Sequence, residues 1–143
     1  NGVASGVMLA ARGAGLRLQD CTIEGAGRRA LTSIGTGCAD LVLDGCEITS
    51  DASAEADPVA INVTGDGLRL LNCRAHGPHP FAHVAGRGAV ITGSHVQGTT
   101  AEQPGVIVTQ GGTACVIGNH FQSCTLIEGD EALPSRPPGN LFS

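Results

Sequence analysis

At 143 residues the chain has the length of one domain, but 22 Gly, three Phe and no Trp or Tyr exclude a core built on aromatic area. Its 41% hydrophobic content is mainly aliphatic, and a charged share of 15% argues against disorder. The net charge of −5, with all eight cations Arg, excludes an electrostatic nucleic-acid binder, and no apolar run approaches the about 20 residues of a membrane helix.

In chain order, Val7-Met-Leu-Ala-Ala11 is the first expected strand, followed by Leu16-Arg-Leu-Gln-Asp-Cys-Thr-Ile23. In that second segment apolar residues alternate, break at a small-residue kink and alternate again, so two short strands meet at a tight bend. The pair of features recurs as Ala30–Ile34 with Leu41-Val-Leu-Asp-Gly-Cys-Glu-Ile48, then, beyond an acidic loop holding Asp51, Glu55 and Asp57, as Val59–Val63 with Leu68-Arg-Leu-Leu-Asn-Cys-Arg-Ala75. Phe81–Val84 and Ala89-Val-Ile-Thr-Gly-Ser-His-Val96 follow, then Val106–Val108 and Cys115-Val-Ile-Gly-Asn-His-Phe121, read as one residue shorter, and a last strand at Thr125–Ile127. Residues 131–143, with Pro134, Pro137 and Pro138, read as an extended C-terminal tail leaving the stack.

The bent segments start 25, 27, 21 and 26 residues apart, and Pro58, Pro80 and Pro104 fall 22 and 24 apart at the start of the other strand set. Proline lacks a ladder donor and belongs at a strand's start, so it supports the same register. Repeats of roughly 20–29 residues with two or three short strands each describe a parallel β-helix of about five coils. The expected inward columns are Leu16, Leu41, Leu68, Ala89, Cys115; Leu18, Leu43, Leu70, Ile91, Ile117; and Ile23, Ile48, Ala75, Val96, Phe121. A further column of Cys21, Cys46, Cys73, Ser94 and Asn119 makes the cysteines small buried groups at the bend, read as free stacked thiols rather than a disulfide framework. Cys38 and Cys124 fall near turns, and no CxxC spacing suggests zinc.

From about residue 6 to 130 this pattern resembles the right-handed parallel β-helix superfamily of pectate lyases, polygalacturonases, alginate epimerases and phage tailspikes. The resemblance implies an all-β, single-stranded, right-handed parallel β-helix over 1–130, and parallel crossovers share that handedness preference. It also implies a secreted, cell-surface or virion protein of spike type, whose rigid face meets a polysaccharide or a partner subunit.

Outward positions follow by alternation. Thr22, Glu47, Arg74, His95 and His120 form the most polar row, about 5 Å apart from coil to coil. A carboxylate, a guanidinium and two imidazoles on one strip are groups that sugar lyases, hydrolases and epimerases need, which makes Glu47, Arg74, His95 and His120 the candidate catalytic set. The same row also reads as a solvated ladder in which Glu47 pairs with Arg74. Asn62 and His83, with Ser33 one coil earlier, form a candidate ligand-binding row on the other strand set. His76-Gly-Pro-His-Pro80 faintly resembles the Asp-Pro-His-Asp stretch of alginate epimerases, but lacks its acids and is read as a turn.

The calcium-binding Asp set of pectate lyases and the Asn-Thr-Asp, Asp-Asp and Gly-His-Gly set of polygalacturonases are missing. No cofactor and no metal site is expected, with the Asp51–Asp57 loop the one place calcium could bind. The favoured expectation is therefore a non-catalytic presenting segment, with polysaccharide lyase, hydrolase or epimerase as the alternative. With no initiating Met, no signal peptide and no evident caps, the chain reads as a fragment whose ends are covered by further domains or by subunits of a homo-oligomer.

Overall fold

The computed structural model describes residues 5–9, 15–25, 29–33, 39–50, 61–109, 111–124, 126–129 and 134–143. Among them there is no helix; seventeen short strands pair in parallel into three sheets. Sheet A stacks β1 (Ser5–Leu9), β4 (Arg29–Ser33), β7 (Ile61–Val63), β10 (Ala82–Val84), β13 (Pro104–Val108) and β16 (Leu126–Glu128). Sheet B stacks β2 (Arg17–Gln19), β5 (Val42–Asp44), β8 (Arg69–Leu71), β11 (Ala89–Thr92) and β14 (Ala114–Ile117). Sheet C stacks β3 (Thr22–Gly25), β6 (Glu47–Ser50), β9 (Arg74–His76), β12 (His95–Gln97), β15 (His120–Gln122) and β17 (Leu141–Phe142). Each sheet takes one strand from successive coils, which makes the molecule a parallel β-solenoid. Five sheet B strands span four steps, so it makes about four turns, slightly fewer than the five coils expected.

The interior is a set of aliphatic columns. Leu43, Leu70 and Ile91 are each 0% exposed above Leu18, and Leu41, Leu68 and Ala89 lie beside them. Sheet C contributes Ile23, Ile48, Ala75, Val96 and Phe121, and sheet A contributes Ile61, Ala82 and Val106 with Val63, Val84 and Val108. Ile48 has 0% exposure and the adjacent Glu47 points outward. Ile48→Ala should therefore cost about 2–5 kcal/mol by opening a void within a column. Glu47→Ala should cost less than about 1 kcal/mol. Chemical denaturation of both variants checks the facing of sheet C, because the opposite ranking would reverse it.

Between sheets B and C the chain turns through one residue with positive φ on every coil: Asp20 (51°), Gly45 (66°), Asn72 (51°), Gly93 (65°), Gly118 (71°) and Gly139 (81°). Only Gly, Asn and Asp adopt this left-handed conformation readily, which explains the recurrent small residue before the column of Cys21, Cys46, Cys73, Ser94 and Asn119. Gly45 and Gly93 alternate with Asp20 and Asn72 for a second reason. A Cβ at either glycine would overlap the carboxylate or amide oxygen one coil below.

Four placements differ from the sequence reading. Leu16, expected at the head of the first inward column, is 43% exposed, because β2 is the edge strand of sheet B and no strand packs beyond it among the described residues. In β14 the register pairs Ala114 with Ala89, Cys115 with Val90 and Val116 with Ile91. Cys115 and Ile117 are thus exposed, and Ala114 and Val116 take the inward positions assigned to them. The repeat Ala114-Cys-Val-Ile-Gly-Asn-His-Phe121 is full length, and starting it at Cys115 shifted its first half by one residue. In sheet A, Thr32 rather than Ser33 stands in register with Asn62. Finally, residues 139–143 do not leave the stack: β17 pairs with β15, setting Leu141 beside His120 and Phe142 beside Phe121. Gly139-Asn-Leu-Phe142 repeats Gly118-Asn-His-Phe121 at a spacing of 21 residues.

Candidate ligand-binding face

The outward residues of sheet C form two columns along the solenoid. One runs Thr22, Glu47, Arg74, His95, His120 and Leu141; the other runs Glu24, Thr49, His76, Gln97 and Gln122. Period-two alternation puts both columns on the same face, with Ile23, Ile48, Ala75, Val96 and Phe121 buried between them. The structure therefore brings Glu47, Arg74, His95 and His120 into a single row on successive coils.

Contacts within this face run diagonally as well as along the rows. The His95 and His120 rings stack with centroids 4.7 Å apart and planes inclined by 15°. His95 Nε2 lies 3.3 Å from Gln122 Oε1, and His120 Nε2 lies 2.7 Å from Ser143 Oγ. His76 Nε2 lies 3.1 Å from Thr49 Oγ1 and 3.8 Å from Glu47 Oε1. Glu47 thus turns toward His76 in the neighbouring column, and among the described residues Arg74 has no ion-pair partner. Both Glu47 and His76 are about half exposed, at 56% and 50%, so water screens their attraction.

Sequence reading placed His76 in a turn and left Thr49, Gln97, Gln122 and Ser143 unassigned. Each of the first four lies two residues beyond a member of the recognised row, so extending the alternation by one step would have found them. Asn62 and His83 stand in register on sheet A, half-buried, with Ile107 next in the column. They lie on a different sheet from the Glu47 row, so the two candidate sets do not form one site. The Asp51–Asp57 loop, Cys38 and Pro58 lie outside the described residues. Among the described residues, no three His, Cys, Asp or Glu side chains are grouped to hold a metal ion.

Cys21, Cys46, Cys73, Cys115 and Cys124 are free thiols. The three in the bend column donate to carbonyl oxygens. Cys21 Sγ is 3.3 Å from Gln19 O, Cys46 Sγ is 3.5 Å from Leu18 O, and Cys73 Sγ is 3.3 Å from Leu71 O. Burial pushes the Cys73 thiol up to about 11 and raises Cys124 in the same direction. Their folded-state pKa values lie above the about 8.5 of an unfolded thiol, so neutral thiols contribute stability that is complete below that pH. As pH rises toward 11 the unfolded chain loses these protons first, and stability falls. The chain has no Lys and no Tyr to titrate in the same window. Melting temperature should hold up to about pH 8.5 and decline by pH 10.5. Cys73→Ala should flatten that decline.

Comparison with profiles of known protein families, with curated protein sequences and with solved structures gives no match for this chain.

Proposed function

We propose that the chain is a right-handed β-helix segment of a secreted, cell-surface or virion spike-type protein, and that its sheet C face holds an extended polysaccharide without turning it over. The observation carrying this reading is the repetition of hydrogen-bonding side chains on consecutive coils. Arg74, His95 and His120 recur in one column, and His76, Gln97 and Gln122 in the next. A rigid strip with one set of contacts every about 4.8 Å suits a linear polymer of similar repeating units better than a compact ligand. Hydrogen-bond partners orient the imidazoles, and Arg74 is available for a hydroxyl or carboxylate.

This face carries no aromatic side chain other than its histidines, so each sugar unit gains little from stacking. Affinity should therefore rise with oligosaccharide length, as contacts on successive coils are engaged together. Titrating alginate, pectate and capsular oligosaccharides of increasing length into the protein tests this. The expected result is saturable binding that weakens at least tenfold in Arg74→Ala/His95→Ala, about 1.4 kcal/mol, with the melting temperature held. Binding to none of them, or unchanged binding by the double variant, would overturn the reading. New reducing ends or unsaturated products would replace it with a lyase, hydrolase or epimerase acting through Glu47, Arg74, His95 and His120. An oligomer that buries the strip would make the ligand a partner subunit.

A further inference from the structure

Three of the chain's five histidines, His76, His95 and His120, lie on the outward face of sheet C, with the acids Glu24 and Glu47 and the guanidinium of Arg74. Imidazole is the side chain whose charge ordinarily changes between about pH 5 and 8, so the sign of this face depends on protons. With neutral imidazoles, two carboxylates outweigh one guanidinium. With all three protonated, four cations face two carboxylates. The change is concentrated at one end of the strip: the acids sit on β3 and β6, and Arg74 and the histidines on β9, β12 and β15.

The contacts give each proton its own effect. His76 Nε2 lies 3.8 Å from Glu47 Oε1, so an imidazolium there holds that carboxylate aside and leaves Arg74 uncompensated. Gln122 presents Oε1 to His95 Nε2, so that nitrogen keeps its hydrogen and an added proton goes to Nδ1. His95 then stands as a cation in register between Arg74 and His120, whose ring is stacked on its own at 4.7 Å. Like charges over two steps of about 4.8 Å repel one another unless an anion lies along them. β12 is packed between β9 and β15 and backs onto Ala75, Val96 and Phe121, so the charged or titratable groups facing His95 from neighbouring strands are Arg74, His76 and His120. β17 adds Leu141 and Phe142, which carry no charge, and Glu102 on the loop after β12 makes no ion pair with the imidazoles.

We propose that the sheet C face is gated by protons: it takes polysaccharides bearing carboxylate or sulfate groups at about pH 5.5 and releases them at about pH 7.5, an assignment that rests on this strip being the glycan-binding face. The anionic groups lie along Arg74, His95 and His120, where their charge offsets the repulsion within the column. Because protons strengthen the binding of the anion, the anion must strengthen the binding of protons, and the complex forms with proton uptake.

The test is calorimetric titration of the full chain at about pH 5.5 and about pH 7.5, at low ionic strength so that exposed charges are not screened. The probes are alginate hexamers, dextran sulfate and fully methyl-esterified pectin oligomers. The expected result is at least tenfold tighter binding of the anionic probes in acid, with net proton uptake, and no pH dependence for the neutral one. A response to only one anionic probe supports the gate and names its anion. His76→Gln/His95→Gln/His120→Gln should lose the pH dependence, and Glu47→Gln, which removes an acid from the strip, should tighten binding at least threefold at the higher pH. The second variant keeps the gate testable if the first does not fold. Anionic probes bound equally well at both pH values would overturn the gate and leave the polysaccharide reading standing, as would full pH dependence in the folded triple variant. Binding of no probe at either pH would overturn both.

Discussion

Phe121→Ala should destabilise the fold by about 3–5 kcal/mol, among the largest losses of any single substitution. Phe121 is 0% exposed and occupies the sheet C column where the coil below has Val96 and the coil above has Phe142. Its ring stacks on Phe142, and Gly105 of β13 leaves room for its edge, since a Cβ there would lie 2.6 Å from the ring. Alanine would open a void that a closed tube has little freedom to collapse, because columns on three sheets fix its cross-section. Phe121→Leu should recover more than half of the loss. Urea unfolding of both variants is the check, and a loss below about 1 kcal/mol for alanine would mean that the ring is not integral to the column.

Asn119→Ala should cost about 2–4 kcal/mol, although little apolar volume is removed. Asn119 is 3% exposed and its amide group joins four partners. Its Oδ1 accepts from Ser94 N at 2.9 Å, and its Nδ2 donates to Ile91 O at 2.8 Å, Ile117 O at 3.2 Å and Asn140 Oδ1 at 3.0 Å. Without it the Ser94 amide is left buried without this acceptor, which is the expensive outcome. Asn119→Ser should recover part of the loss, because Ser94 does the same work one coil below, its Oγ accepting from Cys73 N at 3.2 Å. Equal losses for alanine and serine in thermal unfolding would show that side-chain volume, not hydrogen bonding, sets the requirement.

Most of the architecture was legible because each coil repeats the same local demands. Leu18, Leu43, Leu70 and Ile91 alternate with outward residues, and a small residue precedes each of Cys21, Cys46, Cys73 and Ser94. Those two signals fixed the inward columns, the bend and the row of Glu47, Arg74, His95 and His120. They failed where a coil carried a weaker version of the pattern. Ala114 gives little apolar signal at the start of its strand, so the neighbouring Cys115 was taken for the inward residue. Pro137 and Pro138 suggested departure from the stack, masking the Gly-Asn-Leu-Phe motif that directly follows them and differs from Gly-Asn-His-Phe at one position. His76 was lost among the prolines and glycine that follow it, although backbone alternation still carried it onto the polar face.

The column at the bend also gives the molecule a direction. Each of its upper members satisfies an amide on the coil beneath: Ser94 serves Cys73, Asn119 serves Ser94, and Asn140 serves Asn119 N at 3.0 Å. Separating coils at the Asn140 end must break these bonds, whereas at the other end the same column holds only the weaker thiol contacts of Cys21 and Cys46. Under mechanical load the tube should yield first at its Cys21 end, and an optical-trap experiment pulling on either end in turn would meet less resistance there.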